Sequence, residues 1–269
     1  MLLHIRHLTV YHYSRPVENS MQVVRLTPRR DPWQRTQRWT LVTPGQRIEQ
    51  VDAFGNLTHL VRVEEPLTEL KILAHGIVDT SEAEGTVPGE EGGVSPLVFL
   101  ASTRLTQPDA AVETFAARFR GALAADQAAL LELAEAVRSA VVWEQGTTDV
   151  EHTAGEALAL GRGVCQDHAH LFASVGRLIG VPVRYVSGYF NSGHASAASH
   201  AWVDAWRGPE LGWLSIDVTQ GELAGPRHCR LAVGRDYQDA GPVRGVRRGG
   251  GDERLEVAVQ VAGSAQEQQ

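Results

Sequence analysis

The chain has 269 residues, 43% of them apolar, and a formal charge of −7. That apolar share is ample for a packed core and excludes a disordered chain, and the negative balance excludes a general nucleic-acid binder, because no positive field draws in phosphates. No stretch reaches the ~20 apolar residues needed to cross a bilayer, "MLLHIRHLTVYHYS" lacks an uninterrupted apolar signal core, and Cys165 and Cys229 alone make no disulfide framework. The expectation is a soluble cytoplasmic protein with reduced thiols.

Residues 1–80 read as strands. "LLHIRHLTVYHYS", "MQVVRLTPR", "RTQRWTLVTP", "LTHLVRVEE" and "ELKILAHGIV" carry β-branched or aromatic residues at period two, with turn formers between several of them. Asp52-Ala53-Phe54-Gly55-Asn56 reads as a hairpin connection in which Gly55 and Asn56 tolerate positive φ. A small β-sandwich or curved sheet is expected. Residues 81–107 open on an acidic, Gly/Pro-rich stretch without periodicity and read as a solvated linker.

Residues 108–262 form the second expected domain, and 263–269 a tail. "DAAVETFAARFRGAL" and "ADQAALLELAEAVRSAVVW" have helical spacing, with Asp109 and Asp126 near their starts. "TAGEALAL" makes a third helix with Thr153 and Glu156 set for a capping box. "GRGVCQDHAHLFASVGRLIG" makes a fourth, its apolar face drawn by Leu171, Val175, Leu178 and Ile179 and its end marked by Gly180 and Pro182. "VPVRYVSGYF", "SHAWVDAW", "GWLSIDV" and "RLEVAVQV" return to period two. Helices followed by a run of strands imply an α+β fold.

Cys165 falls where the fourth helix starts, after Gly161 and Gly163. Helix-start N–H groups and the dipole favour a thiolate there and offer a donor to a developing oxyanion. A metal cluster of Cys165, Asp167, His168 and His170 lacks the usual ligand spacing, so no metal is expected. Asp167 reads as a first-turn acid, while His168 and His170 read as surface or supporting residues. His200 opens a strand, and Asp217 ends the next one, placed to pair beside it across an antiparallel ladder. Such an Asp would fix the tautomer of a His that shuttles the thiol proton. Trp202, Trp206 and Trp213 read as core beneath the sheet, and Cys229 as a packed thiol.

In this order, "GVCQDHAHLF", "RYVSGYF", "SHAWVDAW" and "GWLSIDVT" resemble the transglutaminase-like superfamily, a papain-like group. "VYHYSRPV", "VRLTPR", "DAFGN" and "GRDYQDAGPVRG" resemble its bacterial members with an N-terminal β-rich domain. The resemblance implies a helix-borne Cys packed on an antiparallel sheet, with Cys165 as nucleophile, His200 as general base and acid, and Asp217 as its orienter. Two departures stand out. Valine follows Asp217 where the family usually has proline, which would fix φ. Ala159 and Leu160 lie where papain-like proteases carry a glutamine, so a side-chain oxyanion donor is unassigned. Trp143, Gln145 and Gln166, with Tyr185 and Trp202 from the matching segments, are the candidates for oxyanion or substrate contact.

The resemblance implies thiol-dependent acyl transfer on protein or peptide amides without a cofactor, by transamidation or hydrolysis. A catalytically silent protein-binding scaffold is the alternative. The sequence leaves the substrate and the oligomeric state open.

Overall fold

The computed structural model describes residues 1–82, 86–87, 93–121, 126–193 and 199–264. The first half supplies strands β1 (Leu2–Val24), β2 (Gln34–Val42), β3 (Gln46–Val51), β4 (Leu57–Val63) and β5 (Leu67–Thr80). β1 runs through a segment that the sequence divides into two strands. Its N-terminal half pairs with β5 and its C-terminal half with β4, and the register slips between His12 and Val17. Pro16 sits in that slip, where a missing N–H breaks no ladder bond. β3 is exposed along its whole length and carries no alternation, which is why period two does not reveal it.

Residues 81–107 contain more structure than their composition implies. β6 (Thr86–Val87) adds to the second sheet, and two short 3-10 helices follow, Pro96–Leu100 and Arg104–Thr106. Val87, Phe99 and Leu105 are buried. The linker expectation is corrected for these positions; residues 83–85 and 88–92 lie outside the described residues.

Then come α1 (Ala110–Ala116), α2 (Gln127–Ala140), β7 (Val142–Trp143), α3 (Ala154–Leu160), β8 (Arg162–Gly163) and α4 (Cys165–Leu178). Asp109 caps α1 by accepting from the Val112 N–H at 2.9 Å. The Thr153–Glu156 capping box on α3 forms as expected. The second sheet is completed by β9 (Val183–Phe190), β10 (Ser199–Trp206), β11 (Trp213–Asp217), β12 (Glu222–Leu223) and β13 (His228–Gly234), in the order β12-β11-β10-β9-β13 with β6 on β11. The chain closes with α5 (Tyr237–Ala240), β14 (Val243–Gly249) and β15 (Glu253–Ser264).

β14 and β15 fall in the stretch assigned by sequence to the second domain, yet both pair with β1 and complete the seven-stranded first sheet. A period-two pattern marks a strand without naming its partner. The expected tail from residue 263 begins inside β15, and residues 265–269 lie outside the described residues.

α4 is the centre of the second half. Every residue from Gln166 to Arg177 is buried, between α1, α2 and α3 on one side and β9 and β10 on the other. Leu171, Phe172 and Val175 meet Val183, Val203, Leu214 and Ile216 of the sheet in one apolar cluster. Each such side chain contributes about 1.5–3 kcal/mol by burial. Buried Arg177 is satisfied by the Phe99, Val183 and Arg235 carbonyls and the Thr106 hydroxyl, which ties both 3-10 helices to α4.

Candidate active site

The approach to Cys165 is built by two glycines with different tasks. Gly161 ends α3 at φ +69, the left-handed conformation that an L side chain resists. At Gly163 the constraint is room, because a Cβ would stand 2.6 Å from the Asp167 carboxylate. That carboxylate accepts from the Val164 N–H and the Thr148 hydroxyl, each at 2.7 Å. Asp167 is therefore the first-turn acid expected, and it also ties the 146–150 loop to the helix. The Asp167 and His168 N–H groups both donate to the Val164 carbonyl. Cys165 and Gln166 thus present the leading N–H groups of the helix.

Cys165 is half-buried, with its sulfur close enough to the His200 ring to act on it electrostatically. The ring nitrogen Nε2 lies 2.7 Å from Asp217 Oδ2, which leaves Nδ1 for the thiol. The ladder pairs Val203 with Ile216, so His200 and Asp217 sit diagonally on the two strands, within reach of an imidazole and a carboxylate. Asp217 is fully buried. Burial would lift its pKa, but hydrogen bonds from His200 and His228 hold it far below the carboxylate range. Burial would likewise lower His200, but the Cys165 sulfur and Asp217 outweigh it and raise the ring to about 10. The ring is thereby favoured as the imidazolium, held between the sulfur and the carboxylate.

The valine after Asp217 does not loosen the turn. Val218 is buried in the core, the Gln220 N–H donates to Asp217 Oδ1 at 3.0 Å, and the Gly221 N–H donates to the Asp217 carbonyl at 2.8 Å. The Thr219 hydroxyl donates to His168 Nδ1 at 2.9 Å, and His168 Nε2–H donates to the Val141 carbonyl at 2.7 Å. Side-chain bonds replace the ring constraint.

His168 and His170 are fully buried, which corrects the surface expectation. α4 is packed on all sides, so its polar residues need internal partners. His170 Nε2 accepts from the Tyr237 N–H at 3.2 Å, and burial lowers this ring to about 3. Asp236 caps α5 by accepting from the Gln238 and Asp239 N–H groups. Cys229 is fully buried as expected, and burial pushes its thiol up.

The candidates for oxyanion or substrate contact fall apart into separate groups. Trp202 is excluded, because it is fully buried and its indole N–H is given to the Ser215 hydroxyl at 3.0 Å. The Gln166 amide is turned to the Val150 carbonyl at 3.3 Å. Tyr185 is buried on β9, within electrostatic reach of Cys165 and with its ring 5.2 Å from that of His170. Trp143 and Gln145 are exposed, and β7 sets Trp143 opposite Gly163, two residues before the thiol.

Sequence reasoning missed His228. Its Nε2 lies 2.9 Å from the same Asp217 Oδ2, and its ring stands 4.8 Å from Phe190 and 5.2 Å from Trp202. The available signal was the alternation of "RHCRLAV", which puts His228 and Cys229 on opposite faces of one strand. Ligand atoms of His200, Asp217 and His228 lie within 4.8 Å of one another, the one such grouping of three metal-binding side chains among the described residues. At 2.7 and 2.9 Å the two Nε2 atoms are at hydrogen-bond distance from Oδ2, which accepts from both rings.

Residues 3–79 match the model of the bacterial transglutaminase-like N-terminal region, and residues 113–218 match that of the transglutaminase-like superfamily. An uncharacterized protein of Mycobacterium leprae is 31% identical over 275 residues, covering 96% of this chain and 98% of its own length. The chain belongs to the transglutaminase-like superfamily. An uncharacterized protein of Mycobacterium tuberculosis is 28% identical over 90% of the chain and 86% of its own length. A protein-glutamine gamma-glutamyltransferase of Pseudomonas aeruginosa is 40% identical over 67 residues, 21% of this chain and 10% of its own. Among solved structures, a candidate cysteine protease from Cytophaga hutchinsonii superposes with a TM-score of 0.76 at 20% identity, covering 98% of this chain and 92% of its own. The two-part fold is thus shared across both halves.

Proposed function

We propose that the protein is a thiol-dependent acyltransferase acting on protein or peptide amides through a thioester at Cys165. The observation that carries this reading is the convergence of the Cys165 sulfur and the Asp217 carboxylate on the His200 ring, whose Nε2 lies 2.7 Å from Asp217 Oδ2. The sulfur sits at the start of α4, beside the imidazolium that holds the proton of the relay. Sulfur attacks the amide carbonyl carbon, and the oxyanion that forms is met by the leading N–H groups of α4. As the C–N bond breaks, His200 gives its Nδ1 proton to the departing amine and the thioester remains. An incoming amine or water then loses a proton to Nδ1 and attacks the thioester, which returns the thiolate. Asp217 keeps the ring oriented throughout.

The name of the Pseudomonas relative, which matches this chain over 67 residues, supports amine as one acceptor. p-Nitrophenyl acetate tests the thioester: wild type should release about one equivalent of nitrophenol in a burst and then turn over slowly. Cys165→Ala should show no burst. A full burst from that variant would dismiss Cys165 as nucleophile. Incubating a glutamine-containing peptide with a fluorescent primary amine, beside a peptide-cleavage measurement, separates transamidation from hydrolysis.

A further inference from the structure

We infer that His228 is a positioning residue for the relay, held in place by the first sheet. This rests on the function proposed above. The Gly225 N–H donates to His228 Nδ1 at 3.1 Å, so that nitrogen carries no proton and Nε2–H is the donor to Asp217 Oδ2. A buried carboxylate needs several donors to remain charged and fixed. Asp217 has the Gln220 N–H on Oδ1 and two imidazole rings on Oδ2. Removing His228 leaves Oδ2 with its working partner alone, and the carboxylate is free to twist about the Gln220 bond. A neutral ring suits this task. An arginine would neutralise Asp217 and compete for the charge that supports the His200 imidazolium, whereas a neutral donor restrains the oxygen and leaves that charge available.

His228 starts β13, and residues before β6 fix that strand. Gln34 grips Arg230 with both ends of its amide, accepting from the Arg230 N–H and donating to the Arg230 carbonyl, each at 2.8 Å. Asn56 does the same at Val233, donating to the carbonyl at 2.7 Å and accepting from the N–H at 2.8 Å. Between the two grips the ladder to β9 slips, between Arg230 and Ala232, so β13 would otherwise be poorly registered. In the 52–56 hairpin Gly55 takes positive φ, and the Asn56 amide serves as this clamp. The first sheet therefore reaches the relay through β13, His228 and Asp217.

The test compares His228→Leu and His228→Gln in the full chain, with p-nitrophenyl acetate as probe. The leucine variant should keep the burst at Cys165 and its KM, and lose about 10–100-fold in kcat, the scale on which orienting partners act. Glutamine places an N–H near Nε2 and should restore kcat to within about fivefold of wild type. A residue that merely fills space would not be rescued by an amide in preference to an alkyl chain. If the leucine variant fails to fold, His228→Asn takes its place, polar but one methylene too short, with the same loss expected. Wild-type kcat in the leucine or asparagine variant, or equal loss in the glutamine variant, overturns the inference and leaves the thioester reading standing. No burst in wild type removes both.

Discussion

Replacing Asp217 with asparagine keeps the shape of the site and removes its charge. The His200 ring rises from 6.5 to about 10. At about 1.4 kcal/mol per tenfold change, that difference is on the order of 5 kcal/mol in favour of the imidazolium. Burial opposes it, and the Cys165 sulfur and Asp217 together overcome burial. In Asp217→Asn the ring loses the carboxylate's share of that support and should give up its proton at a clearly lower pH than in the wild type. Side-chain 15N shifts of the histidines, titrated between pH 5 and 11, read this without a substrate. The His200 signal is assigned by its absence from His200→Gln. Unchanged titration of His200 in the asparagine variant, or titration of the wild-type ring near 6.5, would refute the electrostatic account of the relay.

Three further outcomes are expected. Gly163→Ala forces a Cβ against Asp167 and should cost about 1–3 kcal/mol in urea unfolding, with slower iodoacetamide labelling of Cys165; unchanged labelling would show that the Asp167 cap does not set the thiol's presentation. Asp204 is fully buried between Arg184 and Arg230, so Asp204→Asn leaves two buried cations undercompensated and should cost about 3–5 kcal/mol, read as a lowered melting temperature. His7 and His170 are held neutral by burial, at about 4 and about 3. Their folded pKa values lie below the unfolded one, so stability is intact above pH 6.5 and falls with acidification. Between pH 7 and 5 the loss is about 2 kcal/mol per ring, and a flat urea midpoint over that range would show that the rings are not held neutral.

The parts of this molecule that the sequence reveals are those with local or ordered signatures. α3 and its capping box can be read from four residues, and Cys165, His200 and Asp217 lie on elements whose order and type the pattern makes plain. What it conceals depends on neighbours distant in sequence. "QRIEQV" forms an edge strand with no buried face, so it leaves no alternation to read. His168 and His170 lie on a helix whose apolar stripe implies one buried face, yet neighbours cover the polar face too. His228 is eleven residues from Asp217 along the chain but meets it only because β13 joins the far side of β9, a topology that no spacing rule supplies. The sequence allows Trp202 either as core or as a contact residue, and its bond to Ser215 decides for the core.

Both ends of the described chain meet in a single sheet. β1 lies between β5 and β15 along Leu2–Tyr13, so one side of it has no hydrogen-bonding partner until residues 253–264 have been made. During synthesis the nascent protein carries an open strand edge for most of its length, an invitation to pairing with other chains. Folding therefore finishes late, and removal of the last dozen described residues should harm solubility well before it touches the thiol.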